Sequence, residues 1–251
     1  MQKYLWDQIK DNEWRKQIVK ASVPLWKYKN GEPIAVASAC IVEYMNCRFV
    51  LSIAHATIAS SIWHMEVHSA EQVEEGQWRT KLQPLEMGFL TEFYFEKNNV
   101  TDPKMVDFTY RMLKPSISSF QVLNDPENNT IVGFERAVLK ANFDISPSKN
   151  KKYGFYGKVR FGGVKDQQII FEDRLEEDLT YVGEEGQYFV FELSHKYGSH
   201  DNYRGCSGAP VIDQDNNLIG LVSYGIKSKN LIYAINISKY RSVLEIETKP
   251  F

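Results

Sequence analysis

Short runs of alternating apolar and polar residues, rich in β-branched and aromatic side chains and bounded by turn formers, recur along the chain from residue 22 onward. They predict strands at Ile34–Tyr44, Cys47–Ile53, Trp63–His68, Leu85–Glu96 and Val106–Leu113. After an interval the pattern resumes at Gly154–Phe161, Gln168–Glu172, Tyr188–Leu193, Ala209–Asp213, Leu218–Ser223 and Leu231–Ile237. The interval, Pro115 to Lys152, holds the turn-forming runs Asn124-Asp-Pro-Glu-Asn-Asn129 and Ser146-Pro-Ser-Lys-Asn150, and is expected to be irregular. Helical spacing is confined to the ends. Gln2–Lys20 carries Leu5 and Ile9 on one side, and Ser238–Ile246 follows a cap at Asn236 or Ser238; both helices are expected to be peripheral.

Two strand-rich halves without long helices between strands favour an all-β chain of two antiparallel barrels over a parallel α/β sheet. The expected division is a helical extension over 1–21, a first barrel over 22–115, a connection over 116–152, and a second barrel with a terminal helix over 153–251. Composition narrows the function classes. With 43% hydrophobic and 25% charged residues, and 30 Lys+Arg against 32 Asp+Glu, the chain reads as an ordinary globular protein of net charge −2, with no whole-molecule attraction to nucleic acid. No window is apolar enough to span a membrane, and Met1 to Lys20 mixes charges where a signal segment would be apolar. Cys40, Cys47 and Cys206 are an odd number without paired spacing, which argues against a disulfide framework and a structural zinc, and for a reducing, cytoplasmic setting.

The sharpest local feature is Gly205-Cys206-Ser207-Gly208-Ala209-Pro210, directly before a strand. Glycines flanking one serine permit a tight turn in which the N–H groups of Gly205 and Ser207 point into one space beside the hydroxyl, a geometry suited to an oxyanion; the plain alternative is a Gly-Pro turn entering a strand. A serine nucleophile needs a base. All five histidines, His55, His64, His68, His195 and His200, precede Ser207, which leaves the order histidine, acid, serine open. His55 follows the apolar run Phe49-Val-Leu-Ser-Ile-Ala54, and taken alone would read as a core histidine. Asp107, at the head of the strand-like run to Leu113, is costly to bury without a partner; Asp102, in Thr101-Asp-Pro103, is the runner-up and reads more simply as turn chemistry.

Together these segments resemble the chymotrypsin-like (trypsin-fold) serine peptidases. His55-Ala-Thr57 after its apolar strand, Asp107-Phe-Thr-Tyr-Arg-Met-Leu113, the turn Gly205–Pro210 and the downstream run Leu218-Ile-Gly-Leu-Val-Ser-Tyr-Gly225 follow the family's order, over roughly residues 22 to 246. The resemblance implies two six-stranded barrels, with Ser207 attacking a peptide carbonyl, His55 acting as base and then acid, and Asp107 orienting it. It also implies an oxyanion hole from Gly205 and Ser207, and pairing of Ser223, Tyr224 and Gly225 with the substrate backbone as an added strand. Asp201, six residues before Ser207, stands where trypsin-like members place the acid that selects Arg or Lys. Leu231 stands where they carry a pocket glycine, and a leucine there is expected to obstruct the pocket. Cys206 replaces the acid that secreted members use after N-terminal cleavage, and no Ile-Val-Gly-Gly start exists, so the chain looks closer to bacterial members switched by other means.

The resulting expectation is a cytoplasmic serine endopeptidase working without cofactor or metal on few protein substrates, and either gated by an activating protein partner or narrowly selective. Small bacterial trypsin-like peptidases of defence modules, which cleave an associated effector, offer a parallel of type. The alternative is a latent trypsin-like fold that only binds peptides or proteins, while a general quality-control peptidase would carry PDZ-type domains, for which no residues are expected after 251. His64-Met-Glu-Val-His68 is read as strand, not as a metal helix; Cys206 as a packed bystander; and the acidic run Glu172 to Asp178 as a solvated face.

Overall fold

The computed structural model describes residues 4–57, 62–74, 77–92, 95–96, 99–100, 104–128, 130–165 and 168–249. Where one N-terminal helix is predicted there are two, α1 (Leu5–Ile9) and α2 (Glu13–Ala21). Asn12 separates them, because its side chain accepts the Arg15 N–H and caps the second.

Strands β1 (Val23–Lys29), β2 (Glu32–Tyr44), β3 (Cys47–Ser52), β4 (Trp63–Glu74), β5 (Gln77–Leu85), β6 (Gly88–Glu92) and β9 (Lys104–Leu113) pair in the order β5-β4-β1-β2-β3-β9-β6, with a short helix α3 (Ala54–Thr57) after β3. Strands β7 (Phe95–Glu96) and β8 (Asn99–Val100) form a separate pair. The edge strands β5 and β6 are separated in the chain only by Glu86 and Met87, so the sheet curls until its two edges meet at a corner. This differs in detail from the expected six-stranded barrel. The sheet holds eight strands, because β12 (Val138–Lys140) adds in parallel beside β2, and among the described residues no ladder joins β5 to β6.

The segment expected to be irregular also contains a hairpin, β10 (Phe120–Asp125) with β11 (Thr130–Glu135). The turn formers around Asn128 are its loop rather than a linker. From Lys152 onward β13 (Lys152–Lys165), β14 (Gln168–Glu185), β15 (Tyr188–Glu192), β16 (Pro210–Asp213), β17 (Leu218–Ile226) and β18 (Leu231–Asn236) close into the expected six-stranded barrel, in the order β13-β14-β15-β18-β17-β16. A 3-10 turn and α4 (Arg241–Glu247) follow, with the Asn236 side chain accepting the Ser238 N–H as the predicted cap.

The terminal helices are not peripheral. Leu5, Ile9, Ile18, Val19 and Leu244 are buried in one cluster with Phe49, Leu51 and Phe108 of the first half and Tyr156, Ile212, Leu221 and Ile235 of the second. Each such side chain removed from water contributes about 1.5–3 kcal/mol, so the seam between the halves is a main core of the molecule. Phe108 stacks on Tyr240 across it with ring centroids 4.5 Å apart.

Candidate active site

Three local devices bring chemistry to this seam. Strand β3 runs antiparallel to β9 with Ser52 opposite Thr109, so as the chain leaves β3 into α3 it passes Asp107. There the His55 main-chain N–H donates to Asp107 Oδ1 at 2.9 Å, and the imidazole Nδ1 lies 2.8 Å from the same oxygen and 2.9 Å from Oδ2. The carboxylate is an acceptor only, so Nδ1 carries the proton, and among the described residues Nε2, on a ring that is half exposed, makes no hydrogen bond.

The second device is an irregularity in β17. The register with β18 slips between Val222 and Tyr224, which makes Ser223 the odd residue and re-aims its side chain. Its hydroxyl crosses the seam to donate to Asp107 Oδ2 at 2.7 Å. Burial pushes the Asp107 carboxyl up, but the hydrogen bonds from His55 and Ser223 outweigh it and hold the group below the usual aspartate range.

The third is the turn that carries Ser207. Gly205 (φ 123°) and Gly208 (φ 90°) adopt left-handed backbone, and neither has room for a side chain. A Cβ on Gly205 would stand 2.2 Å from the Lys158 carbonyl oxygen, and one on Gly208 2.0 Å from the Ser38 carbonyl oxygen. The turn is fastened from the first half: Ser38 Oγ donates to the Gly205 carbonyl at 2.7 Å and Ser38 N–H to the Ser207 carbonyl at 3.0 Å. Within the turn Cys206 N–H donates to the Tyr203 carbonyl and Ala209 N–H to that of Cys206. Among the described residues the N–H groups of Gly205 and Ser207 make no backbone hydrogen bond. The Ser207 hydroxyl donates to the Ser223 carbonyl at 3.2 Å, and both Ser207 and His55 line a cleft of about 350 Å³.

No protein-family model and no curated protein matches this sequence. Solved structures do match. Human heparin binding protein aligns at 10% identity over 93% of this chain and 94% of its own, with a TM-score of 0.56. A structure named GrC aligns at 13% identity over 93% and 96%, with a TM-score of 0.50. The serine endoprotease from Yersinia pestis aligns at 11% identity and a TM-score of 0.48, over 94% of this chain but 65% of its own length. The fold is that of the chymotrypsin-like serine proteases.

In this chymotrypsin-like fold Asp201 lies in the 3-10 turn His200–Tyr203, exposed at the rim of the cleft, and Ser223, Tyr224 and Gly225 line its wall. Leu231 does not obstruct the cleft as expected. It is tied into the barrel opposite Glu192 and Ile226, and the neighbouring Ile232 faces the cleft. The residue that narrows the space is Tyr197, whose ring would lie 2.2 Å from a Cβ on Gly225 and which packs against Tyr203 with ring centroids 4.5 Å apart and planes inclined by 40°. Its only sequence signal is an aromatic residue in a loop closed by Gly198, at φ 74°. Arg204 also lines the cleft. Cys206 is fully buried, with burial pushing its thiol up, so it packs instead of reacting. His64 lies on β4 and meets the Tyr28 ring edge-on at 5.4 Å, while Asp102 and the side chain of His68 lie outside the described residues. The acidic run is not a uniformly solvated face: Glu176 is buried against Arg174, His195 and Tyr203.

Proposed function

We propose that this chain is a serine endopeptidase that cleaves a protein substrate through an acyl-enzyme intermediate. The observation that carries this is the continuous hydrogen-bonded path His55–Asp107–Ser223, beside a serine held in a tight turn where, among the described residues, the N–H groups of Gly205 and Ser207 make no backbone hydrogen bond. In the reaction Ser207 Oγ attacks the carbonyl carbon while its proton passes to His55 Nε2, and the imidazolium is stabilised by the Asp107 carboxylate. The oxyanion accepts from the N–H groups of Gly205 and Ser207, where one such donor is worth about 2.7–4 kcal/mol. His55 then protonates the departing amine, and a water attacks the acyl-Ser207 ester with His55 again as base. A substrate strand paired along Ser223 to Gly225 presents an N–H to the Ser223 carbonyl, which competes with the Ser207 hydroxyl for that acceptor and releases it toward His55.

For the residue before the scissile bond we propose a long cation. Its methylenes would lie along Val222, Ile232 and the Tyr197 ring, with the charge reaching Asp201 at the rim. Profiling with fluorogenic peptides of every residue type at that position tests this: Arg and Lys should lead, and Asp201→Asn should erase the lead. A single native substrate, an effector made alongside the peptidase, fits so narrow a cleft; co-expression with neighbouring gene products should show it cut.

A second reading, a binding module that does not turn over, is favoured by the Ser207 hydroxyl lying on the Ser223 carbonyl instead of on His55, and by the same fold being carried by a protein named for heparin binding. Fluorophosphonate labelling with peptide mapping separates the two. A single adduct on Ser207, lost in both Ser207→Ala and His55→Ala, is the catalytic result; no adduct on folded protein is the binding result.

A further inference from the structure

Among the buried carboxylates that the proposed chemistry does not use is Glu176, 1% exposed in the middle of β14. A carboxylate withdrawn from water persists only when it is paired. Its partners come from three segments. Arg174, on the same strand, donates from Nε to Oε1 at 2.6 Å. Tyr203 donates its hydroxyl to the same oxygen at 2.9 Å, and in turn accepts from Arg174 Nη2 at 3.0 Å, with the guanidinium 4.8 Å over its ring. His195 places Nε2 2.7 Å from Oε2 and Nδ1 2.9 Å from the Lys196 carbonyl.

Both loop partners lead directly into the cleft. Tyr203 begins the turn that carries Ser207, and its carbonyl receives the Cys206 N–H at 2.9 Å. His195 lies two residues before Tyr197, the ring that packs against Tyr203 and abuts Gly225. Cys206, fully buried, offers that turn no ionic anchor of its own. We infer that Glu176 is a positioning residue, which sets the Ser207 turn and its oxyanion donors through Tyr203, and the cleft wall through His195. The inference rests on the reading of Ser207 as nucleophile. It places the ionic fastening of the turn behind the cleft and within the chain itself.

The test uses the full chain as Glu176→Gln and Tyr203→Phe, with Arg15→Gln as control, since Arg15 pairs with the adjacent Glu177. Three readouts are taken: the second-order rate of Ser207 modification by a fluorophosphonate, amide hydrogen exchange of the peptide spanning the turn, and the melting temperature. A displacement of the donors by about an ångström predicts labelling roughly a hundredfold slower in Glu176→Gln and Tyr203→Phe. Exchange should rise in the turn and stay unchanged in the strands, and Arg15→Gln should behave as wild type. Wild-type labelling together with wild-type exchange in the folded variants overturns the inference. Should Glu176→Gln not fold, Tyr203→Phe decides, because it removes one hydroxyl and keeps the packed ring. Should the wild-type chain take no label, the catalytic reading fails while exchange in the turn still decides whether Glu176 positions it.

Discussion

Replacing Asp107 with asparagine removes the charge facing the imidazole while keeping its shape. The carboxylate accepts from the His55 main-chain N–H at 2.9 Å, from the His55 Nδ1 at 2.8 Å and from the Ser223 hydroxyl at 2.7 Å. An asparagine oxygen at the Oδ1 position keeps both bonds to His55, and its amide group at the other position turns the Ser223 hydroxyl from donor to acceptor. The geometry survives and the charge opposite the developing imidazolium does not. Unit charges about 4 Å apart at an effective dielectric near 20 attract by about 4 kcal/mol. The His55 side chain is 50% exposed, so screening trims this to about 3–4 kcal/mol. At about 1.4 kcal/mol per decade, acylation slows by roughly two to three orders of magnitude. If the amide group turns toward Nδ1 instead, it forces the other tautomer and the loss approaches about 10⁴-fold. The assay is the rate of fluorophosphonate adduct formation on Ser207 at fixed pH, read by intact mass, with melting curves to confirm folding. A folded Asp107→Asn chain that labels at the wild-type rate would refute the assignment of Asp107.

Ser223→Ala deletes a hydrogen bond to a charged group while keeping the main-chain acceptor, and the same labelling rate should fall roughly ten- to a hundredfold. Gly205→Ala combines a left-handed φ of 123° with a Cβ 2.2 Å from the Lys158 carbonyl oxygen; melting should show a loss of at least about 2 kcal/mol, with labelling abolished. Under native conditions iodoacetamide should modify the partly exposed Cys47 before the buried Cys206 and Cys40, whose thiols burial pushes up. His195 faces two acceptors, so the hydrogen bond to the Lys196 carbonyl, and then the Glu176 carboxylate, raise its pKa against partial burial and, more weakly, the charge of Arg174. That stabilisation is complete below the ordinary value of 6.5 and disappears as pH rises through the raised value, so melting temperature should fall across that window in the wild type and stay flat in His195→Gln.

The strands were legible because their signal is local. Alternation and turn formers within ten residues mark β2, β3, β9 and the six strands of the second barrel wherever they later pair. The same locality misleads at Asn124 to Asn129, where turn formers mark the loop of a hairpin as readily as a linker. It fails outright for Glu176. An acid among acids reads as solvated, and its burial is decided by His195 and Tyr203, 19 and 27 residues further along the chain. Leu5 and Ile9 show the other side of this: their helical spacing is visible, but what they face is decided by β10 and α2, and ultimately by the seam. His55, Asp107 and Ser207 stand out by their flanks, yet each alone has an ordinary explanation, and only their order made them a set.

What joins that set is a group of small hydroxyls. Ser223 reaches Asp107 across 116 residues of sequence, and Ser38 reaches the Gly205 carbonyl across 167. Ser52 in turn donates to the Ser38 carbonyl at 2.7 Å, holding it against Gly208. All three serines are essentially inaccessible to solvent. A buried hydroxyl left unpaired is costly, so the Ser223–Asp107 and Ser38–Gly205 bonds penalise displacement of one half against the other, while the Ser52 bond fixes Ser38 within the first half. The first half supplies His55 and Asp107, and the second supplies Ser207 and its N–H donors. The interactions that fix how the halves dock are therefore the same ones that set the distance between His55 and Ser207. Loosening the seam at Ser38 or Ser52, neither of which lines the cleft, should cost reactivity of Ser207 before it costs the barrels themselves.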